Sequence, residues 1–81
     1  MRLSDLKKGD AAIVLGVEEK RAADPVARRL GELGFVVGEP VRVVATGPFG
    51  GDPLLVQVGF TRFALRRSEA ERVRLVVEDL A

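Results

Sequence analysis

Apolar positions along this chain follow two periods in turn, and the changeovers mark its elements. In Leu3-Ser4-Asp5-Leu6-Lys7-Lys8-Gly9-Asp10, Leu3 and Leu6 share a face of one short helical turn that Ser4 or Asp5 can cap and Gly9 ends. Ala11 to Val17 is a β-prone apolar run between Asp10 and the charged Glu18-Glu19-Lys20-Arg21, which predicts a first strand with Gly16 at a bulge. At Asp24-Pro25 the period changes to that of a helix. Asp24 offers a capping carboxylate, and Pro25 stands at the first helical position, where its missing N–H costs nothing. Val26, Leu30 and Leu33 make one stripe, Arg28, Arg29 and Glu32 face away, and Gly34 stands where a left-handed C-cap is wanted. Gly31 inside this helix costs ~1 kcal/mol against alanine and would be tolerated if another backbone approaches closely.

Beyond Pro40 the period is two. Val41, Val43 and Ala45 predict a second strand, and Leu54, Val56 and Val58 a third, after the turn-rich segment Gly47 to Pro53. Gly59-Phe60-Thr61 turns into a fourth strand from Arg62 to Arg66, with Phe63 and Leu65 together on one face. Ser68-Glu69-Ala70-Glu71 has the spacing of a capping box, and Val73, Leu75 and Val77 alternate in a last strand ending at Glu78-Asp79. The expected architecture is mainly β with a short helix: an SH3-like, partly open barrel of five strands, with one amphipathic helix between the first and second.

Composition narrows the function. With 81 residues there is room for one core, so residues 1–81 read as a single domain. The chain has no cysteine and no histidine, which removes the thiolate nucleophile, the usual proton carrier near neutral pH and the commonest ligands for transition metals. An enzyme is therefore not expected. Thirteen basic and twelve acidic residues leave +1, with signs interspersed where a nucleic-acid binder segregates them. No apolar run reaches the ~20 residues of a membrane span, and the opening residues lack the apolar run of a signal peptide, so a cytoplasmic protein without membrane insertion is expected.

The loop Gly47 to Pro53 lacks the lysine and following helix of a phosphate cradle and reads as a structural turn. Phe49 at its tip either folds back over the core, the commoner outcome, or stands out as a contact anchor. Carboxylates at Glu18, Glu19, Asp24, Asp52, Glu69 and Glu71 have no calcium-loop spacing and read as a solvated face. The basic group Arg62, Arg66, Arg67 and Arg74 could meet an acidic partner or nucleic acid, with Glu69, Glu71 and Glu78 placed to cancel it. A proline-peptide groove needs a row of aromatic rings, and the chain has no tryptophan, no tyrosine and four phenylalanines. Apolar residues remain to spare at Phe49, Leu55 and Val76, the pattern of an interaction module.

Four blocks then fall into a known order: Leu30-Gly31-Glu32-Leu33-Gly34-Phe35-Val36-Val37-Gly38, Val41-Arg42-Val43-Val44, Gly50-Gly51-Asp52-Pro53-Leu54, and Ala64-Leu65-Arg66-Arg67-Ser68-Glu69-Ala70. In order and spacing they resemble the FeoA family of ferrous-iron transport proteins, over nearly the whole chain. Gly50-Gly51, where one glycine is usual, and Gly59-Phe60-Thr61 depart from that pattern. The resemblance implies an SH3-like accessory protein of ferrous-iron uptake, cytoplasmic and held near the inner membrane through its partner, the cytoplasmic GTP-binding domain or adjacent regions of a FeoB permease. It implies no cofactor, with iron binding only by family association. Carried over by position, the partner surface comprises Leu30, Leu33, Gly34, Phe35, Phe49, Gly50, Asp52, Pro53 and Arg66, with Leu30 equally well explained as core. The alternatives are a nucleic-acid-binding small barrel, a module related to the DtxR-type repressors, and an iron chaperone, for which only scattered carboxylates are on offer. A free strand edge and the spare apolar residues leave room for a homo-oligomer.

Overall fold

Cross-strand pairing of valines and leucines organises the computed structural model, which describes residues 1–76. The strands are β1 (Ala11–Val17), β2 (Pro40–Gly47), β3 (Gly51–Val58), β4 (Thr61–Leu65) and β5 (Val73–Val76). They form one antiparallel sheet in the order β4-β3-β2-β1-β5. Helix α1 (Pro25–Leu33) lies on the connection from β1 to β2, as expected, and a single turn α2 (Arg67–Ala70) joins β4 to β5. Alternate residues of the strands point inward, so Val41, Val43, Leu54, Val56, Val58, Leu65, Val73 and Leu75 meet in a core completed by Leu3, Leu6, Leu30 and Phe35. The fold is mostly β, and the sheet does not close: β4 and β5 are its edges.

Local chemistry explains α1. The carboxylate of Asp24 accepts from the Val26 N–H at 3.0 Å, and Pro25 follows at the first helical position. At the other end Gly34, at φ 114°, closes a Schellman motif: Phe35 N–H donates to the Leu30 carbonyl and Gly34 N–H to that of Gly31, both at 3.1 Å. Gly16 marks the expected bulge, a register shift between Val14 and Gly16 where β1 meets β5.

Several expectations need correction. The third strand begins at Gly51, three residues earlier than the apolar alternation suggested, because Gly51 pairs with Gly47 across the hairpin. The fourth runs over Thr61–Leu65, with Gly59-Phe60 a two-residue turn: Val58 pairs with Thr61, and only Gly59 has positive φ (58°), as a type II′ turn requires. The capping box of α2 uses Glu69, not Ser68 and Glu71. Its carboxylate accepts the Arg66 N–H at 3.0 Å, because the turn starts two residues earlier, with Arg66 at the N-cap. The first turn (Leu3–Asp5) ends before Gly9, which sits at φ 90° in a separate bend and donates its N–H to the Val43 carbonyl at 2.7 Å. No backbone crowds Gly31, since a Cβ there would meet nothing within 4 Å. The expected last strand residue Val77 and its end at Glu78-Asp79 lie outside the described residues.

Candidate functional site

The β2–β3 hairpin is built to hold an aromatic ring in solvent. Gly50 and Gly51, at φ 65° and 85°, occupy a region that side-chain-bearing residues rarely enter, so both glycines are used by the turn. Asp52 N–H donates to the Phe49 carbonyl at 3.2 Å and closes the tip. Gly47 packs so tightly on the returning strand that a Cβ there would run into the Asp52 carbonyl and the Pro53 ring. With its backbone committed in this way, Phe49 stands 83% exposed, and the expectation that it folds back over the core is overturned.

The other half of the site comes from the β4–α2 junction. Leu54 pairs with Leu65, which sets Arg66 beside Pro53, and the Asp52 carboxylate accepts the Arg67 N–H at 3.0 Å. The Arg67 guanidinium turns inward to the Ser4 carbonyl at 2.9 Å. Arg66 stays outside, its guanidinium in none of the ion pairs among the described residues, since Glu69 takes its backbone N–H and reaches Arg29 at 3.5 Å. Phe49, Asp52, Pro53 and Arg66 line one shallow groove of about 370 Å³. A phenyl face, a proline ring and a guanidinium outside the ion pairs of the described residues can accommodate an apolar side chain lying next to a carboxylate.

The sequence-derived partner residues therefore separate. Phe49, Gly50, Asp52, Pro53 and Arg66 gather at one end of β3. Leu30 and Phe35 are each 1% exposed and belong to the core, where they cannot touch a partner. Leu33 is half-buried against that core, and Gly34 lies beside Val58, at the opposite end of β3. The basic group disperses too, because Arg62 and Arg74 stand on the two edge strands β4 and β5 while Arg67 is half-buried. Among the described residues no three carboxylates cluster closely enough to hold a metal ion.

Two carboxylates titrate below their usual range. Asp24, only 2% exposed, is lowered from 3.8 to about 2, chiefly by the Lys20 N–H at 3.0 Å, and further by Arg72, whose Nη1 lies 2.7 Å from both oxygens, and by the helix amides, against the opposing effect of burial. Glu18 is lowered by its 2.7 Å hydrogen bond to Arg2. Both tie the β1–β2 connection to the body of the sheet. Neither faces the groove.

Strand order and the helix between β1 and β2 define a small SH3-like module. The match to the FeoA domain covers residues 1–77, and the chain belongs to the FeoA family of ferrous-iron transport. Stenotrophomonas maltophilia FeoA, a procaryotic SH3 domain protein crystallised with zinc, is 62% identical and superposes at a TM-score of 0.87 over 94% of this chain and 89% of its own. Chlorobium tepidum FeoA is 40% identical at a TM-score of 0.80, with 100% of this chain and 71% of that one covered. An Fe(2+) transport protein A/Fe(2+) transporter FeoB fusion protein of Porphyromonas gingivalis is 33% identical over 75 residues, 93% of this chain. This chain spans 8% of the fusion's length.

Proposed function

We propose that this protein is a non-enzymatic accessory of ferrous-iron uptake that docks on the cytoplasmic part of a FeoB-type permease through the groove of Phe49, Asp52, Pro53 and Arg66. The observation that carries this reading is the Porphyromonas gingivalis fusion, in which a homologous segment and a FeoB transporter share one polypeptide. Covalent fusion raises the effective concentration of two domains for each other, which is useful when their separate affinity is modest. Phenylalanine and arginine are among the residue types enriched at the cores of protein interfaces, and here the ring is exposed and the guanidinium joins none of the ion pairs among the described residues. Ferrous iron is the cargo of the permease in this reading, and the docked chain works from the cytoplasmic face by altering the permease's nucleotide cycle or gating.

The test is saturation binding of the intact chain to its cognate permease in detergent and to the isolated GTP-binding domain, with and without nucleotide. Phe49→Ala and Arg66→Glu, checked for native circular dichroism, should each weaken binding ~10-fold or more. Absence of binding to the intact permease would overturn the reading.

A further inference from the structure

The end of the molecule away from the groove carries a second exposed surface of different character. Arg42 on β2 pairs with Gln57 on β3, which pairs with Arg62 on β4, so three polar residues stand in a row across adjacent strands on the outer face. Lys8 and Arg42 line a shallow depression with Gln57 and Arg62. Gln57 holds the row in place: its Oε1 accepts from Arg62 Nε at 3.3 Å and its Nε2 donates to the Gly59 carbonyl at 3.5 Å. Lys8, Arg42 and Arg62 take part in none of the ion pairs among the described residues. The nearby Asp10 carboxylate accepts the Lys7 N–H at 2.9 Å, Glu39 stands just before β2, and Glu32, two residues before Gly34, pairs with Arg28 at 3.3 Å.

Apolar side chains stand beside these cations. The II′ turn puts Phe60 at a hairpin tip where it is 108% exposed, more open than in a free peptide reference. The loop leading into β2 exposes Val37 (74%) and Val36. It belongs to the same end, because Val41 pairs with Val58 and Gly34 lies against Val58. A cation row with unpaired charge, rimmed by protruding apolar side chains, is complementary to a surface that is anionic outside and apolar a few ångströms deeper.

We infer that this end of the molecule binds the surface of an anionic phospholipid bilayer, with Lys8, Arg42 and Arg62 against headgroup phosphates and Phe60 inserted among the acyl-chain ends. A nucleic acid fits less well, because the aromatic ring projects from a tip and does not lie flat on the strands among the cations, where bases would stack. Along β3 the two hairpin tips, Phe49 and Phe60, are separated by the length of the strand, ~25 Å. Bilayer contact at one end thus leaves the groove at the other free. The inference does not depend on permease docking.

The chain has no tryptophan, so Phe60→Trp installs a single fluorophore at the tip. The full-length variant would be titrated with vesicles of phosphatidylcholine alone and of phosphatidylcholine with phosphatidylglycerol, at low and high salt, with Phe49→Trp as the comparison. The expected result is a blue shift and quenching by brominated acyl chains for Phe60→Trp on the anionic vesicles only, lost at high salt, with Phe49→Trp remaining in water. Replacing Arg42 and Arg62 together by Gln should weaken partitioning on the order of 10-fold or more, at about fivefold per cation, while permease binding in detergent is unchanged. No shift on anionic vesicles, binding insensitive to the double variant, or tighter capture of a single-stranded RNA oligomer than of vesicles at equal salt would each overturn it.

Discussion

The carboxylate of Asp24 accepts hydrogen bonds from the Lys20 and Val26 amides and faces the Arg72 guanidinium 48 positions later, so a single side chain caps α1 and ties it to the start of β5. Its pKa is lowered on folding, which means its contribution is complete above the unfolded value near 4 and is lost as pH falls toward about 2. An acid titration followed by circular dichroism should show destabilisation beginning below pH 4, and Asp24→Asn should flatten that dependence while lowering Tm at neutral pH. Arg72 Nε, buried with no hydrogen-bond partner among the described residues, makes the guanidinium more dependent on Asp24. Gly31 gives the opposite expectation. With open space around its missing Cβ and a helical backbone, Gly31→Ala should stabilise the protein by ~0.5–1 kcal/mol in urea denaturation. Leu30→Ala should cost ~2–5 kcal/mol because it opens a hole in the core, so any loss of function it causes reports on folding. Phe49→Ala removes an exposed ring and should leave stability within about 0.5 kcal/mol.

At the scale of elements, α1 has nine residues, too few to hold a helix alone in water. A peptide of residues 24–35 should show little helical circular dichroism, because Leu30 and Phe35 find their apolar surroundings only in the sheet. The β2–β3 hairpin depends on close backbone approach. Gly47→Ala should lower stability by ~1–3 kcal/mol, measured by thermal unfolding, since its Cβ would collide with backbone and a proline ring, neither of which can move aside cheaply. The same close packing fixes the strand from which Phe49 projects. The expectation of a folded-back ring failed here because turn-forming residues in sequence reveal that the chain reverses, whereas the direction of the tip depends on bulges at Val43/Ala45 and Thr46/Gly47.

For the molecule as a whole, the antiparallel course of β3 sets its two functional candidates at opposite ends. Nuclear magnetic resonance shift changes on adding the permease's GTP-binding domain should centre on Phe49, Asp52, Pro53 and Arg66, and those on adding anionic vesicles on Arg42, Phe60 and Arg62. Overlap of the two sets would show that one surface serves both. Such a two-ended adaptor could hold a permease domain in a defined orientation to the bilayer it works beside.

Strand and helix identity were legible along the chain because period-two alternation at Val41 to Ala45 and Leu54 to Val58, and the Asp24-Pro25 and Gly34 caps, are local signals that tertiary packing reinforces. The order of blocks also carried the family. For the proposed partner surface, the residue list was legible but the way it divides was not. Leu30 and Phe35 lie in conspicuous sequence around Gly34, yet they are buried, while Arg66 joins Phe49 and Pro53 only through the pairing of Leu54 with Leu65. Likewise the cation row of Arg42 and Arg62 joins residues 20 positions apart across a register set by Gln57. Local backbone preference, which neighbouring residues encode, determined the elements of this protein; its surfaces were decided by strand register and bulges, which depend on how distant segments fill a shared core.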